Sequence, residues 1–261
     1  MKRFVDEQRF EMLRPQRLQE IIQNNEWIFV PIGSMEWHSY HLGMGVDTIH
    51  AYELAKRLSQ KLGGSVFPPI YIGTENRRSP ESLRKLGFTG DEEIYGMDFP
   101  ANTLPSQYWP ENLFEQIINT QIMLLIQMGF QHIALINGHG SSIQKEILNR
   151  LAKDWGNQKH GVQVLSLFGM TAECSYGLGH AGLVETAVMM AICPEMVDLN
   201  ALPDRSTPLH YAKYGIADSG TNGKDHIVTF DPRDATKAIG EEILRQEVAV
   251  LSLILEKETK K

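Results

Sequence analysis

A chain of 261 residues that is 42% hydrophobic and 22% charged has ordinary globular composition, enough for one large α/β domain or two small ones. Its net charge of −7 is spread without long same-sign blocks, which argues against nucleic acid as the main partner, because phosphate neutralisation needs a basic face. The two isolated cysteines, Cys174 and Cys193, suit neither a disulfide framework nor a thiolate metal site and read as packing residues in a reducing compartment. No run of about 18 apolar residues offers a membrane span, and Met1 to Arg9 lack a secretory apolar core. The expectation is a cytoplasmic protein that acts on a small molecule, with neither nucleic acid nor membrane as partner.

In chain order, residues 15 to 24 read as a helix, 26 to 33 as a buried strand, and 47 to 62 as a helix with Ile49, Leu54, Ala55 and Leu58 on one face, ended by Gly63-Gly64. Residues 65 to 72 are apolar but hold Pro68 and Pro69, which predicts a broken or edge strand. Periodicity disappears from Gly73 to Pro110. Such long loops are usually functional lids, inter-subunit arms or disordered segments, and Phe88, Tyr95, Phe99, Tyr108 and Trp109 argue against disorder.

Pro110 opens a helix with Glu111 in its first turn and a stripe of Leu113, Ile117, Ile118, Leu124, Leu125 and Met128, ended by Gly129. A strand from His132 to Ile136 delivers Asn137-Gly138-His139-Gly140-Ser141-Ser142 and a helix from about 143 to 155. A strand from Val162 to Phe168, a loop through Gly177-Leu178-Gly179-His180 and a helix from Leu183 to Ile192 repeat the pattern, with Pro194 as its stop. The last helix runs from about Asp234 to Glu256 with Glu, Lys and Arg on its outer face. Strands alternating with helices predict a three-layer α/β/α fold around a mostly parallel sheet. Nothing divides the chain, so residues 1–261 read as one domain.

The chemistry collects where strands end. Residues 33 to 47 place Glu36, His38 and Asp47 after the first strand, and these are residue types that divalent zinc, manganese or iron accept. Glu36 and His38 are two apart, so on extended backbone they leave the same face. His139 follows the third strand, and His180 with Glu185 the fourth. In a parallel sheet these loops share one edge, where α/β proteins keep their sites. Glycines around His139 allow close backbone approach to a ligand.

With these residues the chain resembles the creatininase family of metal-dependent amidohydrolases. The resemblance rests on P-I-G-S-M-E-W-H-x-x-H-L-x-x-x-x-D, N-G-H-G and H-A-G-x-x-E-T-A, three separated motifs in the family's order across residues 26 to 195. It implies that Glu36, His38, Asp47 and His139 hold two divalent ions (Zn, Mn or Fe) with Asp47 bridging, that His180 shuttles a proton to the leaving group, and that the chain is a homo-hexamer. Where the second ion in creatininase takes a glutamate two residues after the N-G-H histidine, this chain has Ser141, so Glu185 is the expected fifth ligand. Trp37 replaces a glutamine, Ser39-Tyr40 a Gly-Pro pair, Gly43 a proline and Ser142 an asparagine. Trp37, Tyr40 and Ser141 are accordingly the expected substrate contacts, and the departures point away from creatinine itself.

The leading expectation is a hydrolase acting on a small cyclic or amide-type substrate. An alternative within the family is ring-opening at a carbon-carbon bond of a cyclic diketone derived from inositol. Two readings from other classes are a phosphate or nucleotide-binding protein, with residues 137 to 142 as a phosphate cradle at a helix start, and an idle assembly subunit. The cradle lacks a P-loop lysine and the third glycine of a dinucleotide fingerprint. His41 is expected to orient a ligand from behind, His50 and His132 to be structural, Asp91-Glu92-Glu93 a solvated patch, Glu185 at the least a complement to its helix dipole, and Glu75, Arg77 and Arg78 substrate or subunit contacts.

Overall fold

The computed structural model describes residues 8–158, 161–169, 179–218 and 224–259. The expectations for Cys174, for the loop through Gly177 and Leu178 and for residues 1–7 lie outside these. In chain order the elements are α1 (Pro15–Gln23), β1 (Trp27–Ile32), α2 (Val46–Leu62), β2 (Ser65–Val66), α3 (Pro80–Leu86), α4 (Glu111–Met128), β3 (His132–Asn137), α5 (Ser142–Gln158), β4 (Gln163–Phe168), α6 (Leu183–Ile192), α7 (Tyr211–Tyr214) and α8 (Lys237–Thr259).

β1 is buried at every position. Alternation sends Trp27 and Phe29 to one face and Ile28, Val30 and Ile32 to the other, so both faces need cover. The first face packs with Ala134, Ile136 and Leu167 against residues of α2, α6 and α8. The second packs with Ile133, Leu135 and Val164 against residues of α1, α4 and α5. This is the three-layer α/β/α arrangement expected. Its sheet is parallel throughout, in the order β2-β1-β3-β4.

The broken edge strand expected between 65 and 72 is present: Ser65–Val66 pairs at the sheet edge, and after the two prolines Ile70 rejoins through a single bridge to Ile32. Two stretches differ from the sequence reading. The 73–110 segment contains α3, capped by the Ser79 hydroxyl and closed by Gly87 in the left-handed region. Isolated bridges also hold the segment: Met35, in the loop after β1, pairs with Gln107, and the segment's own ends meet through Gly73 and Tyr108. The last helix begins at Lys237 because Asp231 and Pro232 first form a separate turn, Pro232–Asp234.

The strand order positions the site. β1 connects through α2 to β2 on one side, while β3 lies on its other side in register, Ile32 opposite Asn137. The loops leaving β1 and β3 therefore part at a shared carboxyl edge, the switch point where α/β sheets open a crevice.

Candidate metal centre

Glu36, His38, Asp47, His139, His180 and Glu185 are all buried, none more than 6% exposed. β1 delivers Glu36 and His38, the first turn of α2 brings Asp47, the turn after β3 brings His139, and the start of α6 brings Glu185. Gly138 makes the approach possible. A Cβ there would collide with the Asp47 carbonyl oxygen, so the glycine serves the packing of α2 on the β3 turn, whereas a Cβ on Gly140 would meet nothing.

The side chains sort into two triads that share Asp47: Glu36, Asp47 and His139, and His38, Asp47 and Glu185, each with ligand atoms within 4.8 Å of one another. Asp47 Oδ2 lies 2.9 Å from His139 Nδ1, and Asp47 Oδ1 lies 3.3 Å from His38 Nε2. The other approaches are Glu36 Oε2 to His139 Nδ1 at 3.3 Å and Glu185 Oε2 to His38 Nε2 at 3.7 Å. A third grouping joins His180 to Glu36 and His38.

Supporting groups fix these orientations. His38 Nδ1 bonds the Glu36 carbonyl at 2.9 Å, which turns Nε2 inward. Ser34 Oγ donates to Asp47 Oδ2 at 2.5 Å. The Tyr108 hydroxyl donates to Glu36 Oε1 at 2.5 Å. His180 Nε2 faces the Trp37 carbonyl at 2.8 Å. The residues after two of the histidines, Ser39 and Ala181, have positive φ of 62° and 51°. Such backbone costs energy in residues other than glycine and clusters at functional sites.

The centre calls for positive charge. Among the described residues, every ion pair of Glu36, Asp47 and Glu185 is with a histidine. Burial opposes charging His139, yet Glu36 and Asp47 prevail and push its pKa up to about 10. His38 is likewise raised well above the usual range against its burial, by Glu185 and Asp47. Burial opposes the Asp47 carboxylate, but His139 and His38 hold its pKa well below normal. Glu36 is raised, mainly by burial. Burial, and then the neighbouring His38 charge, lower His180 well below normal. His38 Nε2, the nitrogen that faces Asp47 and Glu185, is buried without a hydrogen-bond partner. An unsatisfied imidazole nitrogen among buried carboxylates belongs to the donor set that divalent zinc, manganese or iron accepts, so the residues fit a metal pair.

A cavity of about 320 Å³ opens over the centre, lined among others by Glu75, His139, Ser141, Lys145, His180 and Glu185. Trp37 and Tyr40 are not in this lining. The Trp37 indole is buried with Leu86, Phe99, Tyr211 and Ala217, and Tyr40 lies edge-on against it with its hydroxyl on the Ala101 carbonyl. Glu75 reaches the cavity, while Arg78 is used inside the 73–110 segment, against Ser82, Met97 and Phe99. Glu92, expected in a solvated patch, binds the Thr89 and Gly90 amides. His41 Nε2 meets Thr186, the neighbour of Glu185, at 2.9 Å. His132 bonds the Asn25 carbonyl at 2.8 Å, and His50 pairs with Glu247 at 2.7 Å. Sequence reasoning missed Ser34 and the hydroxyl of Tyr108 as partners of Asp47 and Glu36.

The creatininase family, described as creatinine amidohydrolase, matches residues 11–255. The creatinine amidohydrolase of Pseudomonas putida is 24% identical over 206 residues, 72% of each chain. A mutant creatininase complexed with creatine superposes with a TM-score of 0.70 at 18% identity, covering 97% of this chain and 98% of that one. A mutant creatininase in its Zn–Zn form gives the same TM-score and coverage at 19% identity. The match along nearly the whole chain makes this protein a member of the creatininase family.

Proposed function

We propose that this chain is a divalent-metal-dependent hydrolase that adds water across the C–N bond of a small cyclic or amide-type substrate, working as a single domain. One observation carries the reading: two carboxylate and imidazole triads share Asp47, and one member of each, His139 and Glu185, lines the cavity. One ion falls to Glu36, Asp47 and His139, the other to His38, Asp47 and Glu185. Divalent ions held there supply Lewis acidity and make water acidic enough to serve as a nucleophile near neutral pH.

The chain's own groups do the rest. His180 donates its Nε2 proton to the Trp37 carbonyl and keeps an Nδ1 lone pair on the Glu36 side. Neutral at working pH, it takes a proton from the attacking water and returns it to the leaving nitrogen. Ser141 and Lys145 line the wall around the substrate. A cavity of about 320 Å³ matches a small molecule. A phosphate cradle finds less support, because Asn137 bonds the His139 amide and carbonyl and the Ser141 hydroxyl accepts from the Gln144 amide.

We also infer a homo-hexamer in the cytoplasm. The support is the family resemblance, the exposed apolar stripe of Leu113, Leu124 and Met128 on α4, and the lack of any described helix long and apolar enough to cross a membrane. Light scattering on the purified chain tests the assembly.

Elemental analysis tests the chemistry. About two divalent ions per chain are expected, lost together on Asp47→Ala, along with mass-detected ring opening or C–N cleavage in a screen of cyclic amides and formamides. A native protein that binds no divalent ion overturns the reading.

A further inference from the structure

We propose that Tyr108 is a positioning residue that holds Glu36 as a one-oxygen ligand and so keeps a coordination position free for the reacting groups. The inference rests on the metal-centre reading above and adds to it a residue from outside the three sequence motifs.

The geometry is specific. Tyr108 Oη lies 2.5 Å from Glu36 Oε1 and 3.1 Å from the Met97 amide nitrogen. The amide can only donate, so the hydroxyl accepts from Met97 and spends its single proton on Glu36. Oε1 is thereby occupied, and Oε2 is the oxygen that faces His38, His139 and His180. A carboxylate held through one oxygen by a charge-assisted hydrogen bond is oriented to present the other to an ion, which disfavours chelation through both. A chelating Glu36 would fill two positions on that ion, and a catalytic site needs one left open.

The surrounding backbone leaves Tyr108 little freedom. Gln107 donates to the Met35 carbonyl and Trp109 to the Gly73 carbonyl, each at 2.8 Å, so both chain neighbours of Tyr108 are tied to the loops after β1 and β2. Its ring stacks on His139 with centroids 5.9 Å apart and planes 28° apart. Gly96, at φ 52°, lies where any Cβ would press on the Tyr108 ring and the Glu75 side chain. The long 73–110 segment thus carries a ligand-orienting hydroxyl, which gives its ordering a role in the centre.

Competitive titration of zinc against a chromophoric chelator, in the full chain and in Tyr108→Phe, tests this without measuring turnover. The variant should fold with unchanged far-ultraviolet circular dichroism and bind one of its two ions about 10- to 100-fold more weakly, as loss of an outer-shell partner does. The other ion should be held nearly as before. Equal affinities in the two proteins overturn the role of Tyr108, whereas a wild-type chain that binds no zinc overturns the metal-centre reading instead. Should Tyr108→Phe fail to fold, 3-fluorotyrosine at position 108 of the otherwise unaltered chain serves. Its fluorine resonance should move on zinc addition, and a resonance unmoved by saturating zinc overturns the proposal.

Discussion

His180 turns one ring nitrogen to the Trp37 carbonyl at 2.8 Å and the other toward Glu36 at 3.9 Å. The first contact fixes the tautomer, so the second nitrogen is an acceptor facing the centre. A proton shuttle and a metal ligand would both sit this way, and metal content separates them. Replacing His180 with Gln is expected to lower kcat by about 10²- to 10⁴-fold, the usual worth of general acid-base catalysis, while both ions stay bound. An ion lost together with the activity would make His180 a ligand instead.

The pKa shifts in the ion-free chain predict how loading depends on pH. His139 is pushed up to about 10 and His38 is raised well above normal, so both carry protons at neutral pH and must release them to bind an ion. Loading should release about two protons per chain, and apparent affinity should rise as pH rises. Calorimetric titration in two buffers of different ionisation enthalpy counts those protons. Loading enthalpies that do not depend on the buffer would contradict the shifts.

Close approach at Gly138 is a third point of test. A methyl group there would run into the Asp47 carbonyl, with Ala51 also near, and α2 could relieve it only by moving away from β3. Gly138→Ala is expected to destabilise the chain by about 1–3 kcal/mol through overpacking and to weaken both ions, because Asp47 moves with its helix. Gly140→Ala, where a Cβ meets nothing, serves as the control. Equal metal content and equal unfolding midpoints in the two variants would refute the account.

Much of this centre was legible because its spacing carries physical information. Period-two alternation placed Glu36 and His38 on one side, and strand ends brought His139 and Glu185 to the same edge. The same alternation explains why Trp37 is no cavity residue: lying between Glu36 and His38, it points the other way, into the cluster with Phe99 and Tyr211. Tyr108 left no trace, since its partner is 72 positions away and nothing local marks the contact. α3 was missed for its length, as seven residues are too few to show a period, although Ser79, Pro80 and Gly87 are ordinary helix punctuation. The last helix is expected to carry its charges outward, yet Glu247 on it is buried, and the partner that explains this is 197 residues earlier.

That partner is His50, and the pair links α2 to α8 through a 2.7 Å contact with both side chains 3% exposed. Burial works against a charged His50, but the Glu247 carboxylate outweighs it, Glu185 and Asp47 add to it, and the pKa of His50 is raised from 6.5. A raised folded pKa gives stability that is complete below the unfolded value and is lost as pH climbs through the folded one. In the ion-free chain, Glu247→Gln should therefore cost about 3 kcal/mol at pH near 6, where it removes the carboxylate that pairs with the buried imidazolium. The cost should shrink as pH rises and His50 becomes neutral in both proteins. Urea unfolding of the two chains in chelator across pH 6 to about 10 reads the difference. A cost that is the same at every pH would mean that the pair holds α2 to α8 as a neutral hydrogen bond, with no charge on His50.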